Sequence, residues 1–224
     1  MTALNPEGME DTEEDFSSEP LYDACFVDPR SPGDLYLFKG SQVLLVDSGG
    51  NKRRWDKPQK IAEWRSLYPF SDGIDACFVD PRSPGDLYLF KGNQVCLVDS
   101  GGNKRRWENP QKIAEWRPKY PFQDKIEACF VSQRSPGDLY LFKGSEVAEV
   151  DSGGDKLRWG PTSIAEWRPA YPFDSNINAC FVDLRSPGDL YMFRGKYVCL
   201  VDADGDGVRK GRQTVASWRS QYLF

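Results

Sequence analysis

The stretch Asp75–Phe122 reads DACFVDPRSPGDLYLFKGNQVCLVDSGGNKRRWENPQKIAEWRPKYPF, and versions of it occur four times in the 224-residue chain. Cysteines at one equivalent position, Cys25, Cys77, Cys129 and Cys180, mark the repeats with spacings of 52, 52 and 51 residues. Self-similarity at such a period is typical of solenoids and propellers, in which each repeat is one supersecondary unit.

The first half of each repeat predicts three strands. In the first repeat, Ala24–Asp28 is short, apolar and β-prone, and Asp34–Gly40 carries large side chains on both faces. Pro29–Gly33 separates them as a turn. Val43–Asp47 is the third strand, and Ser48–Asn51 is a hairpin turn because Gly and Asn accept positive φ.

The second half of the repeat predicts a fourth strand and a short helix. Lys52–Trp55 begins the strand. Pro58–Trp64 opens with Pro and spaces Ile61 and Trp64 as one helical face, which favours one or two helical turns. Tyr68–Phe70 ends them, because Pro cannot continue a helix.

Four such units predict an all-β, four-bladed β-propeller, with one four-stranded antiparallel blade and a short helix per repeat. An open stack needs polar caps, but the terminal repeats keep the same apolar positions as the others. Radial closure buries both faces of every blade. The blades are expected at about 21–72, 73–124, 125–175 and 176–224, with blade 4 packing on blade 1 without strand exchange.

Residues 1–20 form a separate acidic segment, which we predict to be disordered. They hold seven of the 34 acids and no Lys or Arg, so the remainder carries 27 acids against 29 bases. This nearly neutral body disfavours nucleic-acid binding. The segment lacks the pattern of a secretory signal, and no apolar run is long enough to span a membrane. We therefore expect a cytoplasmic protein, with non-classical secretion as the alternative.

The chain contains no histidine, which excludes Ser-His and Cys-His nucleophilic pairs and His-ligated zinc or haem. No enzymatic constellation is evident. The six cysteines occupy repeated positions, as expected of small apolar residues copied by duplication, so we predict free thiols. A four-thiolate metal site is the alternative if the ring brings them together, although the CxxC spacing of structural zinc sites is absent.

The repeat resembles the hemopexin repeat. Ile74–Phe78, Asp86–Gly92, Val95–Asp99 and Pro110–Trp116 followed by Pro118 carry the pattern in the second unit, and all four units over residues 21–224 match it. The likeness extends to the four-repeat legume seed albumins and to related fungal hemopexin-fold, lectin-like proteins. It implies a four-bladed propeller with a central tunnel.

The same resemblance implies ions in the tunnel and a choice of ligands. Backbone carbonyls near the Asp-Ala step would hold Ca²⁺ or Na⁺ at the matching positions, which are Asp23, Asp75, Glu127 and Asn178. Seed albumins of this kind are storage or stress proteins linked to polyamine and haem binding. A haem here would need Cys, Tyr or Met as its ligand, or none. The disulfide of secreted members is not matched by Cys25 or Cys180.

A basic-aromatic loop recurs in the first three units and is a candidate for binding sugars or anions by stacking and charge. Its residues are Arg53, Arg54, Trp55, Arg105, Arg106, Trp107, Arg158 and Trp159. The alternative is a strand with a solvated charged face and a Trp packed on the helix. The first two repeats are nearly identical in their loops as well as their cores, which fits either recent duplication or repeated sites for a multivalent ligand.

The fourth unit replaces the Ser-Gly-Gly hairpin with Asp202-Ala-Asp204-Gly-Asp206-Gly, which matches the start of an EF-hand calcium loop. The position of the bidentate Glu falls on Gln213, and no helices flank the loop. A weak calcium site and an ordinary polar turn both fit.

The sequence therefore predicts a non-catalytic, lectin-like binding protein, a monomer or homodimer, whose partners are glycans or small polar ligands. The alternative is a storage or stress albumin that binds a polyamine, a metal ion or haem.

Overall fold

A computed structural model of the chain describes residues 19–132 and 135–224. Within them the chain forms four antiparallel four-stranded sheets, each built from consecutive strands. The acidic segment predicted to be disordered lies outside the described residues except for Glu19 and Pro20. No helix in the described ranges is long and apolar enough to cross a membrane.

The first two blades have the same element lengths. Blade 1 comprises β1 Ala24–Val27, β2 Asp34–Lys39, β3 Gln42–Asp47, β4 Gln59–Lys60 and α1 Ile61–Trp64. Blade 2 comprises β5 Ala76–Val79, β6 Asp86–Lys91, β7 Gln94–Asp99, β8 Gln111–Lys112 and α2 Ile113–Trp116.

The last two blades have a longer outer strand. Blade 3 comprises β9 Ala128–Val131, β10 Asp138–Lys143, β11 Glu146–Asp151, β12 Leu157–Ser163 and α3 Ile164–Trp167. Blade 4 comprises β13 Ala179–Val182, β14 Asp189–Arg194, β15 Tyr197–Asp202, β16 Val208–Thr214 and α4 Val215–Trp218, followed by a 3₁₀ turn at Ser220–Tyr222.

The hydrophobic cores lie between the blades. One core packs Phe26 and Phe38 of blade 1 against Leu87 and Leu89 of blade 2. Another closes the ring by packing Leu37 of blade 1 against the apolar side chains of blade 4. Since alternate side chains of one strand enter different cores, strands with large residues on both faces are required, as the sequence predicted. The four-bladed propeller is confirmed.

The seams between blades carry a repeated hydrogen bond. The Tyr68 hydroxyl donates to the Asp99 carbonyl in the next blade at 2.6 Å, and Tyr120 and Tyr171 do the same one and two blades further on. Tyr222 completes the set by donating to the Asp47 carbonyl in blade 1. Every sheet consists of its own four strands, so the ring closes without strand exchange.

Three local predictions were wrong. Lys52–Trp55 does not begin a strand in blade 1, where Arg53 makes only an isolated bridge to Val46 and the outer strand is Gln59–Lys60. The helix is a single turn, within the predicted one or two turns, but it begins at Ile61 and not at Pro58. The hairpin glycines do not have positive φ, which occurs instead at Gly40 and its equivalents. Gly49 instead leaves room for the Arg185 guanidinium of blade 4, which would lie 1.5 Å from a Cβ there and would have to move.

Candidate functional site

The structure brings the four predicted tunnel residues together at one mouth of the ring. Asp23, Asp75, Glu127 and Asn178 each precede an innermost strand and line a cavity of about 260 Å³ together with Lys125 and Arg194. The side chains also stabilise the fold, because each accepts the backbone N–H of a turn glycine at 2.6–2.8 Å. These glycines are Gly40, Gly92, Gly144 and Gly195. This hydrogen bond needs only one side-chain oxygen as its acceptor, so Asp, Glu and Asn can each occupy the position.

Three ion pairs lie near this mouth. Lys91 pairs with Asp72, Lys143 with Asp124 at 2.6 Å, and Arg194 with Asp174 at 3.2 Å. The hydrogen bond from Lys91 lowers the pKa of Asp72, and that from Lys143 lowers the pKa of Asp124. The mouth is therefore a polar cavity in which carboxylate and amide oxygens, the donors that hard cations and ammonium groups prefer, lie beside the cationic groups of Lys125 and Arg194.

Four thiols lie deeper in the tunnel. Cys25, Cys77, Cys129 and Cys180 are each 4% exposed. Cys25 donates its S–H to the Cys180 carbonyl at 3.3 Å, and Cys77 and Cys129 donate to the carbonyls of Cys25 and Cys77 at 3.4 Å. All six cysteines are free thiols, as predicted. Across residues 19–132 and 135–224, no three Cys, Asp or Glu side chains form a ready arrangement for holding a metal ion.

The arginines of the basic-aromatic loop are engaged within the fold. Arg53 donates to the carbonyls of Gln221 and Leu223, at the end of blade 4, and Arg105 donates to that of Leu67 in blade 1. The next arginine bridges two aspartates of its own blade. Arg54 pairs with Asp34 and Asp47, Arg106 with Asp86 and Asp99, and Arg158 with Asp138 and Asp151. These guanidinium groups hold the seams and hairpins together.

The tryptophans of the same loops lie half-buried at the outer part of the blades. Trp55 meets Tyr36 and Trp64 edge-on, with ring centroids 6.0 Å apart in each case. Trp107 makes the same contacts in blade 2. Trp159 differs, since its indole N–H donates to the Glu149 carboxylate.

The acidic hairpin of blade 4 makes contacts inside the protein. The Asp202 carboxylate accepts the Asp204 backbone N–H at 3.0 Å and pairs with Arg209. The Asp204 carboxylate accepts the Ser132 hydroxyl of blade 3 at 2.7 Å. Asp206 lies in the same turn, but its carboxylate is not gathered with the other two into a metal-binding group.

Sequence reasoning missed the residues that connect neighbouring hairpins. The Asn103 side chain accepts the Leu67 N–H at 2.9 Å, and Asn51 accepts that of Gln221 at 2.9 Å. Arg30 reaches Asp99 of the next blade at 3.4 Å, and Arg82 reaches Asp151 at 3.2 Å. The near-identity of the loops in the first two repeats was the sequence signal for these contacts. Loops that pack between blades tolerate as few substitutions as core residues do.

Comparisons with known proteins agree with this architecture. No protein-family model matches the chain. Albumin-2 of Lathyrus sativus is 28% identical over 144 residues, which are 59% of this chain and 62% of that protein. Matrix metalloproteinase-21 of Mus musculus is 26% identical over 188 residues, which are 77% of this chain and 32% of that protein. The chain thus matches less than two thirds of the length of either relative.

Solved structures show the same fold. The hemopexin fold protein CP4 from cow pea superposes with a TM-score of 0.78 at 23% identity, covering 89% of this chain and 95% of that one. A Cicer arietinum plant lectin with two metal binding sites gives a TM-score of 0.76 at 21% identity, covering 88% and 94%. A Cicer arietinum albumin showing hemagglutination gives 0.78 at 20% identity, covering 89% and 96%. The resemblance to hemopexin-repeat proteins of the seed-albumin type is confirmed.

Proposed function

We propose that this hemopexin-fold propeller is a non-catalytic, lectin-like protein that binds carbohydrate through sites repeated on its blades. The observation that carries the proposal is the recurrence of one half-buried indole, Trp55, Trp107 and Trp159, at equivalent positions of three blades. Fold neighbours described as a plant lectin and as a hemagglutinating albumin support it.

The physical basis of the proposed sites is stacking on the indole rings. Trp55 and Trp107 pack edge-on against a tryptophan of the short helix, and Trp159 packs edge-on against Tyr140, so binding need not order a mobile side chain. The arginines of the same loops are held in ion pairs, so an anionic sugar would have to compete with those existing bonds. Three weak sites on one rigid ring strengthen attachment to a multivalent glycan surface.

A glycan array with and without calcium tests the proposal. The combined variant Trp55→Ala, Trp107→Ala and Trp159→Ala is expected to lose the glycans that the native chain binds. Leu157→Ala, an exposed apolar residue two positions before Trp159, is the matched control and should keep them. Thermal unfolding of both variants checks that the ring is intact. A folded triple variant that still binds the same glycans would contradict the assignment.

The tunnel mouth carries a second candidate, a storage or stress albumin that binds Ca²⁺, Na⁺ or a polyamine. The supporting observation is the cavity of about 260 Å³ lined by Asp23, Asp75 and Glu127. Calorimetric titration with spermine and with CaCl₂ tests it. Loss of spermine binding in Asp23→Asn with Asp75→Asn is the expected result, and unchanged binding would overturn carboxylate recognition there.

The remaining ligand proposals are separable by the same titrations. Calcium binding that depends on Asp206 rather than on Asp75 would assign the weak site to the blade 4 hairpin. Haem binding would require a Cys, Tyr or Met ligand or none, and a spectral titration with haemin tests it.

A further inference from the structure

The acidic segment at the start of the chain has no part in the proposed carbohydrate sites, and its junction with the propeller is well defined. Leu21 donates its N–H to the Gly195 carbonyl at 3.2 Å, so the chain enters the ring beside the turn that connects β14 and β15 of blade 4. Glu19 and Pro20 are the first described residues, and Pro20 lines the tunnel mouth. The acidic segment therefore joins the propeller next to blade 4.

Blade 4 differs from the other blades at this turn. Three positions there, which are Lys196, Tyr197 and Arg212, are basic or aromatic in blade 4. The other blades have small polar residues, glutamine or glutamate, and proline at these positions. In blades 1, 2 and 3 the equivalents are Ser41, Asn93 and Ser145, then Gln42, Gln94 and Glu146, then Pro58, Pro110 and Pro161.

The three blade 4 side chains contact one another, and we call them the basic patch. The guanidinium carbon of Arg212 lies 4.9 Å from the centroid of the Tyr197 ring, and the ammonium nitrogen of Lys196 lies 5.3 Å from it. The Tyr197 side chain is buried, whereas Lys196 is exposed. Cation–π contacts of this kind hold two positive charges at the surface of the blade, close to the point where the chain enters.

We propose that the basic patch binds the acidic segment of the same chain. Residues 1–18 contain no Lys or Arg and carry six acids, which are Glu7, Glu10, Asp11, Glu13, Glu14 and Asp15. Asp15 lies four residues before Glu19, which is at most about 14 Å of extended chain. Lys196 directly follows Gly195, to which Leu21 is bonded. The nearest acids can therefore reach the patch, and covalent attachment gives them a high effective concentration there.

Charge favours the basic patch over the two other surfaces at the junction. The tunnel mouth has three carboxylates for the two cationic groups of Lys125 and Arg194, so it repels the acids of the segment. On the blade 1 side, the groove that Glu19 lines has Lys39 as the cation among its described residues, beside the carboxylate of Asp23. Since attraction between exposed charges is screened by salt, binding to the patch should weaken as ionic strength rises.

The test measures how fast a Glu-specific protease cleaves the acidic segment of the full chain at low ionic strength, relative to a free peptide of residues 1–18. Bound segment should be protected in the native chain. Lys196→Ser with Arg212→Gln should speed cleavage about fivefold, and so should addition of about 0.5 M NaCl to the native chain. The matched control, Lys57→Gln with Lys119→Gln, removes two exposed positive charges from blades 1 and 2 and should leave the rate unchanged.

Cleavage of the native chain as fast as the free peptide would overturn the proposal, and so would equal acceleration in the control. Protection that grows with protein concentration would place the segment on a second copy, which contradicts binding within one chain. The variant Glu13→Gln, Glu14→Gln and Asp15→Asn leaves the propeller unaltered, which keeps the proposal testable if the patch variant fails to fold. Its backbone amide NMR signals should shift at residues 196–198 and 212–214, and unchanged signals there contradict the basic patch as the site.

Discussion

The hydroxyl of Tyr222 donates a hydrogen bond to the carbonyl of Asp47, joining the last blade to the first. Arg219 strengthens this junction by donating to Tyr222 and, at 2.8 Å, to the carbonyl of Ser48. Its guanidinium lies over the Trp218 ring, 4.1 Å from the centroid. The closing seam therefore contains the same tyrosine bond as the three seams inside the chain.

Tyr222→Phe should lower the free energy of unfolding by about 1–2 kcal/mol, because it leaves the Asp47 carbonyl without a buried donor. Urea unfolding measures the change. Tyr68→Phe, at the seam between blades 1 and 2, is the matched comparison and should cost a similar amount. If the closing seam were dispensable, Tyr222→Phe alone would leave the midpoint unchanged.

Asp75→Asn should keep stability, whereas Asp75→Ala should lose about 1–2 kcal/mol, because the Gly92 N–H needs an acceptor there. Asn178 already plays this part in blade 4, accepting the Gly195 N–H at 2.7 Å. Denaturant unfolding of both variants gives the comparison. Equal stability of the two variants would show that the bond contributes nothing.

Glu149→Leu should remove a pH dependence from stability. Burial raises the pKa of Glu149 above its ordinary 4.5, even though the Trp159 indole donates to the carboxylate. A raised folded-state pKa means that stability is highest below the ordinary value and falls as pH rises through the folded pKa. Leu45, Leu97 and Leu200 fill this position in the other blades, so Leu fits the site.

Thermal unfolding from pH 4 to pH 7 measures the effect of Glu149→Leu. The variant should gain midpoint temperature over the native chain as pH rises across this range. A constant difference between the two proteins at every pH would mean that the carboxylate does not titrate in this window.

Gly101→Ala should weaken the seam between blades 1 and 2. Its Cβ would lie 1.3 Å from a guanidinium nitrogen of Arg30, so that side chain must leave Asp99 and Ser100. Since Arg30 is about half exposed and flexible, the expected cost is small, about 0.5–1 kcal/mol. Gly211→Ala meets no atom within 4 Å and is the control. Equal unfolding midpoints for the two variants would refute the predicted contact.

The sequence predicted the fold because its signals repeat four times. Each repeat carries the same apolar positions, and Tyr68–Phe70 and Tyr222–Phe224 mark the same point in the first and last blades. The tunnel residues were identified through the resemblance to hemopexin repeats, and each of them lies just before an innermost strand.

The partners of the loop residues could not be predicted from one repeat at a time. In the sequence, Arg53 and Arg105 resemble charged residues on the solvent-exposed face of a strand. In the structure, each donates a hydrogen bond to a carbonyl of the preceding blade around the ring. Such contacts join residues about 40 to 170 positions apart, and only the closed ring defines which carbonyl is near. The role of the hairpin glycines was wrongly predicted because it also depends on a neighbouring blade. Gly49 makes room for Arg185 of blade 4 and does not adopt a positive φ.

The equivalence of the four seams leaves the choice of the first blade in the chain open, while the order of the blades around the ring stays the same. Leu21 donates its N–H to the Gly195 carbonyl, and the Phe224 ring lies 6.1 Å from that of Tyr22, so the two ends of the propeller meet at one seam. A short linker across that junction, with new ends opened between Phe122 and Ile126, would give a circularly permuted chain that uses the same four tyrosine bonds. Blade 3 would then be made first and blade 2 last, around an unchanged tunnel.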